Sequence, residues 1–381
     1  MNLEEPNQPQ PKKLKLLGGT NHRVKLQYYS DPMITMTIKR FKHLVAFACI
    51  GLAIIQCLTG AERRTQRVKF ISTDSKTREL LPSTVTNEIL ARGFGVAEGP
   101  VWDSKNNRFL FSDIQANSVY SWSEDLGLTF FLARSGHTGF APIYQDSLLL
   151  GANGLAIYND SLLLCQHGDR RLASMPLDAP LPKNFKTIAA RYDGKRMNSP
   201  NDIVVSKRGH VYFTDPPYGF ADLANSDPVA KKMVFDRSAQ EVDFCGIYKF
   251  DLKTNKLELV SDSMEFPNGV GLSPDEKYLY VNSSDMTKPE MMRFDLSSGE
   301  GELFFNGPFD SDEIGWFDGM DVHPTGAIFT AGPGGVVVVS PEGKHLATIG
   351  LDAPATNLCF DETYESLFYT GFGFVGRIQL R

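Results

Sequence analysis

Cysteine is scarce in this chain, five in 381 residues, and no two of them stand in a CxxC pair. That excludes a disulfide framework and a zinc site built on cysteine. Neither a GxSxG nucleophile elbow nor a dinucleotide-binding glycine fingerprint is apparent, which argues against a serine hydrolase and an NAD enzyme. No helical period of 3.6 runs through residues 84–381, so stacked helical repeats are excluded too. A basic excess is also missing from the main body. Residues 1–61 carry eight Lys/Arg against three Asp/Glu, and the remainder carries a net charge of −11. An acidic body does not suit nucleic acid, whose binding rests on basic patches. It suits a cation.

The apolar stretch Leu44 to Leu58 spans 15 residues and contains Gly51 and Gln56. A membrane-spanning helix needs about 20. Lys39, Arg40 and Lys42 precede it, and Thr59-Gly60-Ala61 follow it, which is the plan of a signal peptide cleaved after Ala61. Met33 or Met36 would be a more usual start for such a leader. Residues 1–61 are therefore expected to be a basic leader with a signal peptide, or alternatively an uncleaved membrane anchor. The mature protein would be exported, periplasmic or secreted, with no membrane contact once the leader is cleaved. Residues 62–83 are polar and read as a spacer. Cleavage leaves Cys165, Cys245 and Cys359, widely spaced and odd in number, which read as small core residues.

A repeat fills the rest. EGPVWDSKNNRFLFSDI begins at Glu98, NGLAIYNDSLLLCQH at Asn153, NDIVVSKRGHVYFTDP at Asn201, NGVGLSPDEKYLYVNS at Asn268, DGMDVHPTGAIFTAGP at Asp318 and NLCFDETYESLFYTGF at Asn357. Each is a polar residue, a short apolar strand, a turn, and a second apolar and aromatic strand. Third and fourth strands follow in most units, as in NSVYSW and LTFFLAR. Four strands per unit is the blade of a β-propeller. The sixth unit ends after its third strand, and TNEILARG, Thr86 to Gly93, supplies the missing pattern ahead of the first. Residues 84–381 are thus expected to form one all-β, six-bladed β-propeller with four-stranded blades, its ring closed by the N-terminal strand.

The first strand of each blade lines the channel, so Glu98, Asn153, Asn201, Asn268, Asp318 and Asn357 should lie at one depth. Asn268-Gly269 on its own also reads as a tight turn. Glu98 has no turn chemistry yet keeps the same register, which favours a polar axial site. Such a ring of carboxylate and amide oxygens suits Ca²⁺, which takes six to eight oxygens at about 2.3–2.6 Å. No matching His or Cys cluster accompanies it, which disfavours zinc and copper.

EGPVW at Glu98, CQHGDRR at Cys165, NSPND through DPPYG at Asn198–Gly219, FPNGVGLSPD at Phe266, DGMDVHPTG at Asp318 and AGPGGVVVVSPEG at Ala331 complete the pattern. With them the chain resembles the gluconolactonase, regucalcin (senescence marker protein) and luciferin-regenerating-enzyme family of six-bladed propellers, most closely its bacterial gluconolactonases. The resemblance implies one divalent cation, commonly Ca²⁺ with Zn²⁺ or Mg²⁺ as alternatives, on Glu98, Asn268 and Asp318. Asn201 matches a position that contacts the metal or the substrate; Asn153 and Asn357 do not carry over as securely. The implied reaction is hydrolysis of a small sugar lactone to the aldonic acid. Asp318 is then the candidate general base, and His167 a candidate donor to substrate hydroxyls or a satisfied histidine in a turn. Arg170 and Arg171 could contact a polyol or pair with acids. Rival readings are an aryl-esterase or phosphotriesterase on the same scaffold, and a non-catalytic ligand-binding propeller. The segments 135–152 and 219–246 read as long loops that shape specificity. The oligomeric state has no sequence signature.

Overall fold

The computed structural model describes residues 63–72, 75–142, 149–180, 184–222, 225–226, 232–307, 309, 313 and 315–381. All belong to the compact unit Gly51–Arg381. The expected leader and its cleavage point lie outside the described residues.

The described chain starts with strand β1 (Arg63–Phe70), helix α1 (Ser75–Leu80) and strand β2 (Thr84–Arg92). Antiparallel sheets follow in chain order. The first is Ala97–Asp103, Arg108–Asp113, Ser118–Ser123 and Gly127–Ala133. The second is Ala152–Tyr158, Ser161–Gln166, Arg171–Pro176 and Lys186–Ala189. The third is Ile203–Val205, His210–Asp215, Gly246–Asp251 and Lys256–Ser261, and the fourth Pro267–Leu272, Tyr278–Ser283, Glu290–Asp295 and Gly301–Phe305. A fifth set, Met320–Val322, Ile328–Gly332, Gly335–Val339 and His345–Gly350, precedes a sixth, Ala355–Phe360, Ser366–Gly371 and Phe374–Gln379. β2 pairs with the last of these, from Thr86↔Gln379 to Arg92↔Phe374, and gives the sixth set its fourth strand.

Burial explains the composition of each strand. The second strand of the first sheet has Phe109, Leu110 and Phe111 fully buried on both faces, because sheets pack against both sides of it. The outer strand alternates instead, with Leu128 and Phe130 facing solvent. Apolar clusters fill the gaps between consecutive sheets. Leu110 and Val119 meet Leu162 and Leu164 between the first and second. Phe109 and Trp122 meet Phe368 and Val375 between the sixth and the first. Cys165, Cys245 and Cys359 are free and buried.

The described part of 62–83, residues 63–72 and 75–83, is not the spacer that the polarity of this segment suggests. β1 pairs with β2 over Arg63↔Glu88 to Arg67↔Thr84, and its other half pairs with the outer strand of the fifth set over Val68↔Ile349 to Phe70↔Ala347. It thereby joins the fifth and sixth sets into one nine-stranded sheet. Among residues 64–70 only Val68 is buried in the core, with Phe70 packed partly against it, so a strand in this position needs few apolar residues. Arg78 of α1 lies 3.8 Å over the Phe70 ring, and Leu81 is buried beside Val85. Gly371, Gly373 and Gly376 do have the spacing of a dinucleotide fingerprint. They sit, however, in the hairpin formed by strands Ser366–Gly371 and Phe374–Gln379, where Gly376 is a strand residue and not the opening of a helix that the fingerprint requires.

Leu81→Ala measures whether this segment belongs to the fold. Deleting a buried Leu side chain should cost about 2–5 kcal/mol in urea unfolding. A loss within about 0.5 kcal/mol, the range for exposed sites, would return the segment to the status of a spacer.

Candidate active site

Glu98, Asn153, Asn268 and Asn357 lie near the starts of first strands; Asn201 and Asp318 lie two residues before theirs. All six are buried. The pairing register shifts at this point in four of the sheets: between Glu98 and Val101, Ala152 and Leu155, Pro267 and Val270, and Ala355 and Asn357. Such bulges re-aim a side chain out of the regular alternation. The Asn-Gly turn is thereby excluded, since Asn268 and Gly269 both lie inside the strand Pro267–Leu272. The glycines serve close approach instead. A Cβ on Gly99 would stand 1.9 Å from the Asn153 carbonyl, and one on Gly269 would stand 2.1 Å from that of Asp318.

Side chains on adjoining strands then fix the axial backbone. Ser112 Oγ donates to the Asn153 carbonyl at 2.9 Å and Thr214 Oγ1 to the Asn268 carbonyl at 2.8 Å. Asn282 Nδ2 donates to the Asp318 carbonyl at 2.6 Å, and Thr356 Oγ1 to the Ala97 carbonyl at 2.7 Å. The Asn201 backbone is held by Gly154 N, which donates to its carbonyl at 2.6 Å.

Three carboxylates share this interior. Burial, and then the neighbouring Asp202, push Glu98 up to about 8. Burial, Glu98 and Asp202 hold Asp318 well above the usual carboxylate range. Asp202 itself is pushed up to about 7 by burial. Opposing this, Trp316 Nε1 donates to Asp318 Oδ2 at 3.2 Å, and the Asn268 side chain bonds the same carboxylate. Asn268 also bonds Tyr218, whose hydroxyl meets Ser284 Oγ. Asp202 Oδ1 accepts from Asn357 Nδ2 at 3.3 Å and Oδ2 from Val270 N at 3.1 Å, tying three sheets together.

Asp202 was not among the sequence candidates. Its carbonyl accepts from Thr214 N while Asn201 N donates to the Thr214 carbonyl, so two residues face one and the alternation is lost. A carboxylate directly after an axial Asn was the available signal.

His167 is buried with Nε2 3.3 Å from Asn153 Nδ2. Burial lowers it to about 3, so it is neutral at neutral pH. Arg171 pairs with Asp169 at 3.1 Å and donates to Gln166 Oε1 at 2.6 Å, which makes it a structural ion pair. Arg170 donates to the Met197 and Ala239 carbonyls at 2.7 and 3.2 Å.

The residues fit a hard cation. Buried like charges with raised proton affinity are the environment that a divalent ion relieves. Asn153 Oδ1 adds a buried acceptor with no hydrogen-bond partner. Among the described residues no three His, Cys, Asp or Glu side chains form a metal-binding group by themselves. Amide oxygens would have to complete the set.

The SMP-30/Gluconolactonase/LRE-like region matches residues 96–372, and the chain belongs to that family. It is 34% identical to a gluconolactonase of Zymomonas mobilis over 303 residues, covering 77% of this chain and 81% of that one. Its fold resembles XC5397 from Xanthomonas campestris, a gluconolactonase, with TM-score 0.69 and 24% identity over 85% of this chain and 99% of that one. A calcium-binding protein, regucalcin, from Agrobacterium tumefaciens superposes with TM-score 0.56 at 16% identity, covering 77% and 94% of the two chains.

The carboxylates make a linked pH prediction for metal-stripped protein. Glu98 moves from an ordinary 4.5 to about 8 in the folded state, and Asp202 from 3.8 to about 7. Both contribute stability that is fully present below their unfolded values and lost as pH rises through the folded ones. Tm in chelator should therefore fall as pH rises from the unfolded values through the folded ones. A saturating divalent cation should remove the fall by taking the place of the protons. A Tm in chelator that is flat or rising over this window contradicts the carboxylate cluster.

Proposed function

We propose that this gluconolactonase-family hydrolase opens a small sugar lactone to its aldonic acid, on a six-bladed propeller whose ring β2 closes. The observation carrying this reading is the carboxylate pair Glu98 and Asp318, buried and mutually repelling, one at the start of its first strand and the other two residues ahead of its own. Glu98, Asn201, Asn268 and Asp318 would hold one divalent cation, with Ca²⁺ suited to that all-oxygen set. When bound, the cation supplies Lewis acidity toward the lactone carbonyl and offsets the carboxylate repulsion.

The chain's own groups do the proton work. Trp316 and Asn268 hold the Asp318 carboxylate in place, so it has a fixed direction from which to accept a proton. Water adds to the carbonyl carbon and gives its proton to Asp318. The ring C–O bond then breaks, and the departing alkoxide takes that proton back. Atoms balance as lactone plus water to hydroxy acid. A base poised by its surroundings contributes about 10²–10⁴ in rate. Asp318 must be ionised to act, and a cation held beside it would favour that state by offsetting the Glu98 and Asp202 charges that otherwise raise its proton affinity.

Asp318→Asn keeps one oxygen ligand but loses the base. Gluconolactone hydrolysis should drop by at least about 10² even at saturating cation. Glu98→Gln should lose activity that excess cation largely restores. Recovery of near wild-type turnover by Asp318→Asn with added cation would make Asp318 a ligand only.

We also propose that residues 33–61 are an export leader, on the pattern of basic, apolar and small residues. Mass spectrometry of protein from the native host should give an N-terminus near Glu62; intact residues 1–40 would refute cleavage.

A further inference from the structure

His167, Arg170 and Asn198 line a small notch with Gly219 and Phe220, large enough for one water-sized group at about 10 Å³. All three polar residues are at least nine-tenths buried. Each has one polar atom with no hydrogen-bond partner: His167 Nδ1, Arg170 Nη2 and Asn198 Oδ1. Three orphans on residues that line one notch are a costly arrangement, since each buried unmade hydrogen bond costs about 1–3 kcal/mol.

The remaining atoms of each residue are committed elsewhere, which fixes what the orphans can do. Arg170 spends Nε on the Met197 carbonyl and Nη1 on the Ala239 carbonyl, and its guanidinium lies 4.9 Å over the Phe220 ring. Nη2 is left with both of its N–H groups unpaired. Asn198 spends Nδ2 on the Asp215 and Phe244 carbonyls, at 3.1 and 2.8 Å, which leaves Oδ1 as an acceptor. Asn153 Nδ2 donates to His167 Nε2, so the neutral ring carries its proton on Nδ1 and offers a second donor.

His167 Nδ1–H, one Nη2 N–H of Arg170 and Asn198 Oδ1 together complement a hydroxyl group, which has two acceptor lone pairs and one O–H. A water held by the same three atoms keeps one O–H without an acceptor. A carboxylate has no proton for Asn198. We propose that this notch reads one ring hydroxyl of the substrate and so selects polyhydroxylated lactones over unsubstituted ones. The proposal rests on the lactonase reading above. His167 is the link, since its imidazole joins the notch on one side to the axial Asn153 on the other.

The test is a cycle of substrates and variants. Wild-type kcat/KM is measured on glucono-δ-lactone, on its singly deoxygenated analogues and on δ-valerolactone. A site that hydrogen-bonds a hydroxyl rejects the analogue lacking it strongly, so one deoxy position should lose at least about 10²-fold. In His167→Phe the same deoxy penalty should shrink to less than about tenfold, because the partner is gone. Equal wild-type rates on the gluconolactone and valerolactone, or a deoxy penalty unchanged in the variant, overturns the notch and leaves the lactonase reading standing. Ligand-observed NMR with 1,5-anhydroglucitol and tetrahydropyran gives a second measurement free of turnover. Wild type should bind the first and not the second, and His167→Phe should bind neither. Absence of binding by wild type overturns the proposal even if every lactone is hydrolysed. A protein that hydrolyses none of the lactones refutes the lactonase reading, and the anhydroglucitol result then decides the notch alone.

Discussion

The first strands of neighbouring sheets meet backbone to backbone at the centre, and the arrangement of the site depends on that contact. It requires residues without side chains where the strands touch. Gly99, Gly154, Gly269 and Gly319 supply it, each with no room for a Cβ against the next sheet. The contact brings acidic and amide side chains from separate parts of the chain into one buried space. The raised proton affinity of Glu98 and Asp318 is a result of that crowding. The fold therefore stores unfavourable electrostatics at its centre, and large apolar clusters between the sheets offset it.

Much of this was legible from spacing. Six buried residues at or just before the starts of first strands could be found because a repeat puts equivalent positions at equivalent places in each sheet, whatever their identity. The pairing of β2 beside the last strand followed from counting strands. What escaped did so for physical reasons. Asn268-Gly269 imitates a turn, because bulges and turns draw on the same residues. Asp202 sits where two residues face Thr214, so an alternating pattern assigns it to the wrong side. β1 looks like a linker because its pairing is by backbone, which leaves little trace in side-chain composition.

The tandem arginines show how adjacent like residues diverge. Arg171 is consumed by Asp169, Gln166 and Thr187, and works as a brace inside the second sheet. Arg170 points the other way, onto the backbone carbonyls of Met197 and Asn198 at the entry to the third sheet. Asp215, pushed up to about 7 by burial, takes the Asn198 and Ser199 N–H groups of that same entry. The positions of Asn198 and Asn201 are thus set by neighbours that do not themselves reach the axis.

The seam made by β1 and β2 bears on how the chain is assembled. Its bonds join residues almost the whole described chain apart: Arg377 to Glu88, Tyr369 to Asn87, Arg64 to Asp352. Every other sheet can form from contacts within a few dozen residues. The sixth is completed only by a segment that lies more than 280 residues earlier in the chain. Contacts of such sequence separation form slowly, since loop closure must precede their reward. During that interval the outer strands of the fifth and sixth sets present unpaired backbone, the part of the molecule most open to association with another chain.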